Sequence, residues 1–250
     1  MLVMGILNVT PDSFADGGRH NDFEAAIARG LEIIAEGVDI IDIGGESTRP
    51  GADRVSEVEE IARTIPVIAE LAKHGTPISI DTMRASTAHA AVKAGASIIN
   101  DVSGGLADPE MLQTAAELKV PYIAMHWRGQ SKDMNSKAIY ADVVSDVISE
   151  LNVRIEAALA AGIQKDKLII DPGLGFAKDA EHNWAIIDSI DRFVAMGYPV
   201  LVGGSRKRFL GGESPDEREQ ATIQLTKRLG TTGVWAVRVH SVKPHKEVLG

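Results

Sequence analysis

Polar and charged side chains recur at the ends of short apolar runs: Asn8, Asp42 with Glu46, Asp81, Asn100 with Asp101, His126, Asp171, Ser205 to Arg208, and Arg238 with His240. Two carboxylates and an amide among them, Asp81, Asp171 and Asn100, could serve acid/base chemistry, bind a metal, or hydrogen-bond a flat, N–H-rich heterocycle. Ser205-Arg206-Lys207-Arg208 is the densest basic cluster in the chain. A basic run is usually a solvated face, and Arg206 and Arg208 fit that reading as well as a binding one.

Two glycine-rich segments flank this set. Asn8 to Gly18 is rich in turn formers, and Gly44 to Gly51 carries Arg49, whose fork suits phosphate oxygens. Arg238 and His240 lie two apart, so on a strand both point to one side. With the basic loop beside them they make an anion pocket. The remaining histidines, at 20, 74, 89, 182 and 245, show no metal-ligand spacing.

Each of these residues alone could cap a helix or sit in solvent. What gathers them is the order of elements. Eight β-rich runs, Leu2–Leu7, Val38–Ile43, Pro77–Ile80, Ser97–Ile99, Pro121–Met125, Leu168–Ile170, Pro199–Val202 and Val234–Val239, alternate with helical stretches. Phe23, Ala26, Ile27, Leu31 and Ile34 recur at helical spacing after the cap candidates Asn21 and Asp22, and Gly37 follows. Val55–Lys73 reads as a helix with a kink at Pro66, and Ala141–Ala161 as a long amphipathic one. This pattern predicts an α/β protein, a (β/α)8 TIM barrel, in which every strand ends on one face. The scattered polar residues would then share one mouth, with Lys207 after the seventh strand where barrels place phosphate groups. The segment Ser241–Gly250 is barely long enough for the eighth helix.

The 250 residues fit one such barrel, so residues 1–250 are read as a single domain. With 44% hydrophobic residues the chain can bury a core, and a net charge of −9 argues against nucleic-acid or anionic-membrane partners. There is no cysteine, which excludes thiolate chemistry and disulfides. The apolar N-terminus lacks a basic n-region and is too short for a signal peptide, so the expected location is cytoplasmic.

Taken together, MGILNVTPDSFADGG from Met4, IDIGGESTRPGA from Ile41, SIDT, INDVSGG, AMHWRG, IIDPGLGFAK, GGSRKRFLG from Gly203 and VRVH ending at His240 resemble the dihydropteroate synthase family. The resemblance implies a folate-pathway transferase that joins 6-hydroxymethyl-7,8-dihydropterin diphosphate to p-aminobenzoate by an SN1-like substitution. It implies Asp81, Asn100, Asp171, Lys207 and Arg238 around the pterin, and Asn8, Arg49, Arg238 and His240 at the diphosphate. It implies Mg²⁺ as cofactor, bridging diphosphate and Asn8, and Phe14, Thr48, Pro50, Phe176, Ser205 and Lys207 around p-aminobenzoate, where sulfonamides compete. Asp81, Lys207, Asn8 and Arg49 would carry the chemistry, and a homodimer is the expected assembly.

Departures from the family pattern are Ser241, where the family usually has Asp, Gly204, and the short ending. Two other readings remain: a pterin-binding paralogue without turnover, and a barrel that passes a methyl group from a folate to a corrinoid. Neither needs a diphosphate site.

Overall fold

The computed structural model describes residues 1–10, 18–46, 55–129 and 134–250. Eight parallel strands follow in sequence: β1 Leu2–Asn8, β2 Ile40–Gly44, β3 Ile78–Asp81, β4 Ile98–Asp101, β5 Tyr122–Met125, β6 Leu168–Asp171, β7 Leu201–Val202 and β8 Ala236–Val239. They run β6-β5-β4-β3-β2-β1-β8-β7, and a bridge between Ile170 and Val200 brings the two ends together into a barrel. The strands start later than expected at Pro77, Pro121 and Pro199. Proline has no N–H to donate, and each of the three contributes only its carbonyl, to Ile41, Ile99 and Ile170 at 2.9–3.0 Å. Five of the strands, β1 to β4 and β6, also end later. Asn8, Asp81, Asp101 and Asp171 are themselves paired strand residues, so the backbone ladder fixes where their side chains point.

Alternation along each strand divides the core in two. Met4, Ile40, Ile98, Ile123, Ile169, Leu201 and Ala236 face the barrel interior, whereas Val3, Leu7, Ile41, Ile43, Ile80, Ile99 and Ile170 face the helices. Two residues on from four of the interior apolar positions stand Asp42, Asn100, Asp171 and Arg238. The site is thus the next layer of the same stack. Asp101, one residue out of phase, turns away from the mouth and accepts from the Tyr122 hydroxyl at 2.7 Å and from Ser103 and Gly105.

Helices α1 Gly18–Ala35, α2 Glu57–Leu71, α3 Ala85–Ala94, α4 Met111–Leu118, α5 Val143–Ala160, α6 Ala180–Asp188, α7 Ile190–Val194, α8 Glu219–Leu229 and α9 Lys243–Leu249 surround the strands. Asn21 and Asp22 lie within α1 rather than capping it. Its inward stripe is Ala26, Gly30 and Ile33, and Leu31 is 37% exposed, because helical phase carries the stripe one position past it. Ser56 caps α2 by accepting from the Glu59 N–H at 3.2 Å, and Pro66 is accommodated within the helix.

Helix α9 follows β8 and packs against the barrel. Gly5 in β1 has no side chain, and a Cβ there would lie 2.8 Å from Val242 and 3.0 Å from Ile33, so the absence of a side chain lets the entry to α9 pack directly on the strand. Glu36 accepts from the Val242 and Lys243 N–H groups at 3.2 and 3.1 Å, and Lys246 pairs with Asp39 at 3.0 Å. Glu36→Ala removes this cap and is expected to lower stability by about 1 kcal/mol, read as a modest drop in Tm by calorimetry. An unchanged Tm would show that α9 is held by its apolar contacts and the Lys246–Asp39 pair without this cap.

Candidate active site

The floor of the mouth is a charge-paired set drawn from four strands. Asp42 is fully buried. It accepts from Nε of Arg238 at 2.6 Å and from the Asn100 amide at 3.2 and 3.3 Å. The other end of the Arg238 guanidinium donates through Nη2 to Asp81 at 2.7 Å. One cation therefore serves two carboxylates, and the guanidinium plane is fixed by both. Burial pushes the Asp81 carboxyl up to about 7; Arg238 opposes this, and the charges of Asp42, Glu60 and Asp101 add to it. Asp81 therefore favours folding fully below its ordinary carboxylate value, and that contribution is lost as pH rises through about 7. A positive charge arriving over the floor would relieve this cost.

The wall is built by the turn after β6 and the loop after β7. Asp171 is buried and its Oδ1 accepts from the Gly173 N–H at 2.7 Å. Burial raises its pKa against the pull of that N–H and of Lys207. Lys207 keeps part of its surface exposed, yet its ammonium donates to the Leu174 carbonyl and lies 4.6 Å over the Phe176 ring. Burial of that head group lowers its pKa to about 8, with Asp171 opposing. Gly175 (φ 76) lets the turn approach this closely, since a Cβ there would sit 2.8 Å from Cδ of Lys207. Beside them the Ser205 hydroxyl accepts from the His240 backbone N–H at 3.2 Å and meets Nδ1 of the same ring at 2.9 Å. One hydroxyl thus ties both the backbone and the ring of His240 to the loop after β7.

The structure thus brings Asp81, Asn100, Asp171, Phe176, Ser205, Lys207, Arg238 and His240 to the same end of the barrel, with Asn8 ending β1 opposite Gly44. Phe14, Thr48, Arg49 and Pro50 lie outside the described residues. Three sequence candidates turn elsewhere. His126 is buried between Glu150 and Lys178, Glu46 pairs with Arg84 at 2.8 Å, and Arg206 is engaged by Glu219 at 2.6 Å and by the Ser241 hydroxyl at 2.8 Å. Asp42 stood in the sequence among the strand ends without a role. Its signal was its place two residues past the interior Ile40. Among the described residues no cluster of three or more acidic or histidine side chains could hold a metal.

A single (β/α)8 barrel with a buried acidic and amide floor, a flat arginine and a lysine at the rim defines a barrel enzyme for a polar heterocycle. The family model described as pterin binding enzyme matches residues 4–240. The dihydropteroate synthase of Mycobacterium leprae is 47% identical over 99% of this chain and 90% of its own length. Among solved structures, Xanthomonas albilineans dihydropteroate synthase with 4-aminobenzoic acid is 44% identical, with a TM-score of 0.93, over 99% of this chain and 90% of that one. The same enzyme in complex with 7,8-dihydropteroate gives a TM-score of 0.89 at 41% identity, over 99% and 90% of the two chains. The chain belongs to the dihydropteroate synthase family of pterin-binding enzymes.

Proposed function

We propose that this chain condenses 6-hydroxymethyl-7,8-dihydropterin diphosphate with p-aminobenzoate to give 7,8-dihydropteroate and diphosphate. The observation that carries this reading is Arg238 stretched between Asp42 and Asp81, with Asn100, Asp171 and Lys207 around it. Carboxylates and an amide match the N–H-rich edge of a 2-aminopterin, Lys207 suits its carbonyl oxygen, and the face of the fixed guanidinium can stack on the ring.

The proposed step is a heterolysis followed by capture. The bond from the pterin methylene carbon to the diphosphate oxygen breaks, and its electron pair leaves with the diphosphate. The aniline nitrogen of p-aminobenzoate supplies the pair for the new C–N bond and then loses a proton. Ionised Asp81 favours the cation that forms between these events, and Arg238 and His240, with Arg49 and Asn8, favour the departing anion. The Phe176 ring and Lys207 with Ser205 offer a flat wall and a cation for the ring and carboxylate of p-aminobenzoate, and Phe14, Thr48 and Pro50 are assigned to the same pocket. Sulfonamides would compete there.

Mg²⁺ fits the donor set: a lone amide such as Asn8 beside diphosphate oxygens suits a hard ion that keeps its waters, and its charge would help neutralise the leaving group. We further propose a homodimer acting in the cytoplasm; among the described residues no helix is long and apolar enough to cross a membrane.

The test is diphosphate release from the pterin diphosphate with Mg²⁺, with and without p-aminobenzoate, with the product identified by mass. Dihydropteroate formation is expected, and tight pterin binding without release would leave a binding protein only. The pH dependence should follow the two shifted groups. kcat/KM rises through about 7 as Asp81 ionises and falls beyond about 8 as Lys207 loses its proton. Asp81→Asn should abolish the rising limb; a limb that persists in that variant belongs to another group.

A further inference from the structure

The turn that joins β6 to α6 is held from behind by groups that the proposed reaction does not use. Gly173 (φ 69), Gly175 (φ 76) and Ala177 (φ 48) alternate in the left-handed region, a strained conformation for the alanine. The turn keeps this shape because its carbonyls are claimed one by one. Lys178, 8% exposed, donates from Nζ to the carbonyls of Gly173 at 3.0 Å and Phe176 at 3.1 Å. The Tyr140 hydroxyl donates to the Ala177 carbonyl at 2.9 Å, and the Leu174 carbonyl is taken by Lys207.

The third Lys178 hydrogen is directed at Nδ1 of His126, 2.9 Å away. His126, Arg128 and their hydrogen bonds hold the Glu150 carboxyl down to about 2, so it can only accept; the imidazole N–H on Nε2 donates to it at 2.9 Å, which leaves Nδ1 as the bare nitrogen. Burial and the neighbouring Lys178 charge lower the imidazole to about 4, which keeps it neutral and able to accept. Arg128 in turn holds Glu150 through Nε at 3.0 Å and Nη2 at 2.5 Å, with its guanidinium 3.8 Å over the Tyr140 ring. Both supports of the turn therefore meet at Arg128.

We propose that Lys178 and His126 are positioning residues for the second substrate, holding the β6–α6 turn so that Leu174 and Phe176 set Lys207 and an aromatic wall against p-aminobenzoate. The proposal rests on the reaction assigned above.

Two substitutions at His126 separate this role from simple packing. Asn puts a carbonyl oxygen where Nδ1 stands and keeps an acceptor for Lys178. Gln reaches toward Glu150 and leaves Lys178 short of one acceptor. On the full chain with Mg²⁺, kcat and both KM values are measured for wild type, Lys178→Met, His126→Asn and His126→Gln, alongside pterin diphosphate binding and amide exchange across residues 172–177. Lys178→Met and His126→Gln should lose about 10²-fold in kcat/KM for p-aminobenzoate, the scale set by a misplacement of roughly 1 Å. Pterin diphosphate binding should hold, exchange in the turn should quicken, and His126→Asn should stay near wild type.

Equal losses in the Asn and Gln variants, or an unchanged kcat/KM for p-aminobenzoate in Lys178→Met or His126→Gln, would overturn the proposal. If Lys178→Met no longer binds pterin diphosphate, its fold has failed and the His126 pair decides. A wild-type protein that makes no dihydropteroate would instead remove the functional reading, and unchanged exchange in the turn would then remove the positioning role as well.

Discussion

Lys207→Ala is expected to lower kcat/KM for dihydropteroate formation by about 10²–10³-fold, the scale of losing one preorganised charge donor from an active site. The ammonium is the meeting point of three structures: the Leu174 carbonyl, the Phe176 ring at 4.6 Å and the buried Asp171 carboxylate. Removing it leaves Asp171 with only Lys178 and Arg238 as nearby cations and removes the positive charge assigned to both substrates. Both KM values should rise while kcat falls, because in the proposed function one group serves pterin and p-aminobenzoate alike. Lys207→Arg should rescue only in part. Gly175 already sits as close as a glycine can, and a guanidinium is wider and planar where the site holds a compact ammonium. Steady-state kinetics on the purified variants, with circular dichroism to confirm folding, decides it. A folded Lys207→Ala protein with unchanged kcat/KM would place the chemistry elsewhere.

Much of this arrangement could be read from residue order. A parallel barrel turns every strand end toward one face, so apolar runs that stop at Asp81, Asn100, Asp171 and Arg238 announced a common mouth before any contact was known. The eight strands were legible for the same reason: they are mostly unbroken apolar runs covered on both sides. What order could not show was phase within a pair. Asn100 and Asp101 are adjacent and equally polar, yet one faces the interior and the other Tyr122, and only the interior position of Ile98 distinguishes them. His126 was misread in the same way, since it follows the inward Met125 and so faces α5. Nor could sequence reveal the partnership of Asp42 with Arg238, 196 positions apart, because it depends on barrel closure that brings β8 beside β1. The last helix was doubtful by length alone; Glu36 and Asp39, which anchor it, lie in the first αβ connection.

Asp42 leads to the second large effect. Replacing it with Ala leaves the Arg238 guanidinium with Asp81 alone and strips the Asn100 amide of its acceptor, in a place from which water is excluded. Breaking a buried pair by removing one partner costs about 3–5 kcal/mol, and for a chain of this size that corresponds to a fall in Tm of roughly 10 °C. Activity should fall as well, since Arg238 and Asn100, the proposed pterin contacts, would lose their fixed orientation. Asp42→Asn separates the two consequences. It removes the charge and one acceptor but keeps an amide oxygen that can still accept from Arg238 or Asn100. Because the Asp42 charge is one of the influences that hold Asp81 up, the rising limb of the pH profile should then move to lower pH. A limb that stays in place in Asp42→Asn, in a protein that remains folded, would mean that burial and the other charges set the Asp81 carboxyl and that Asp42 acts only as the anchor of Arg238.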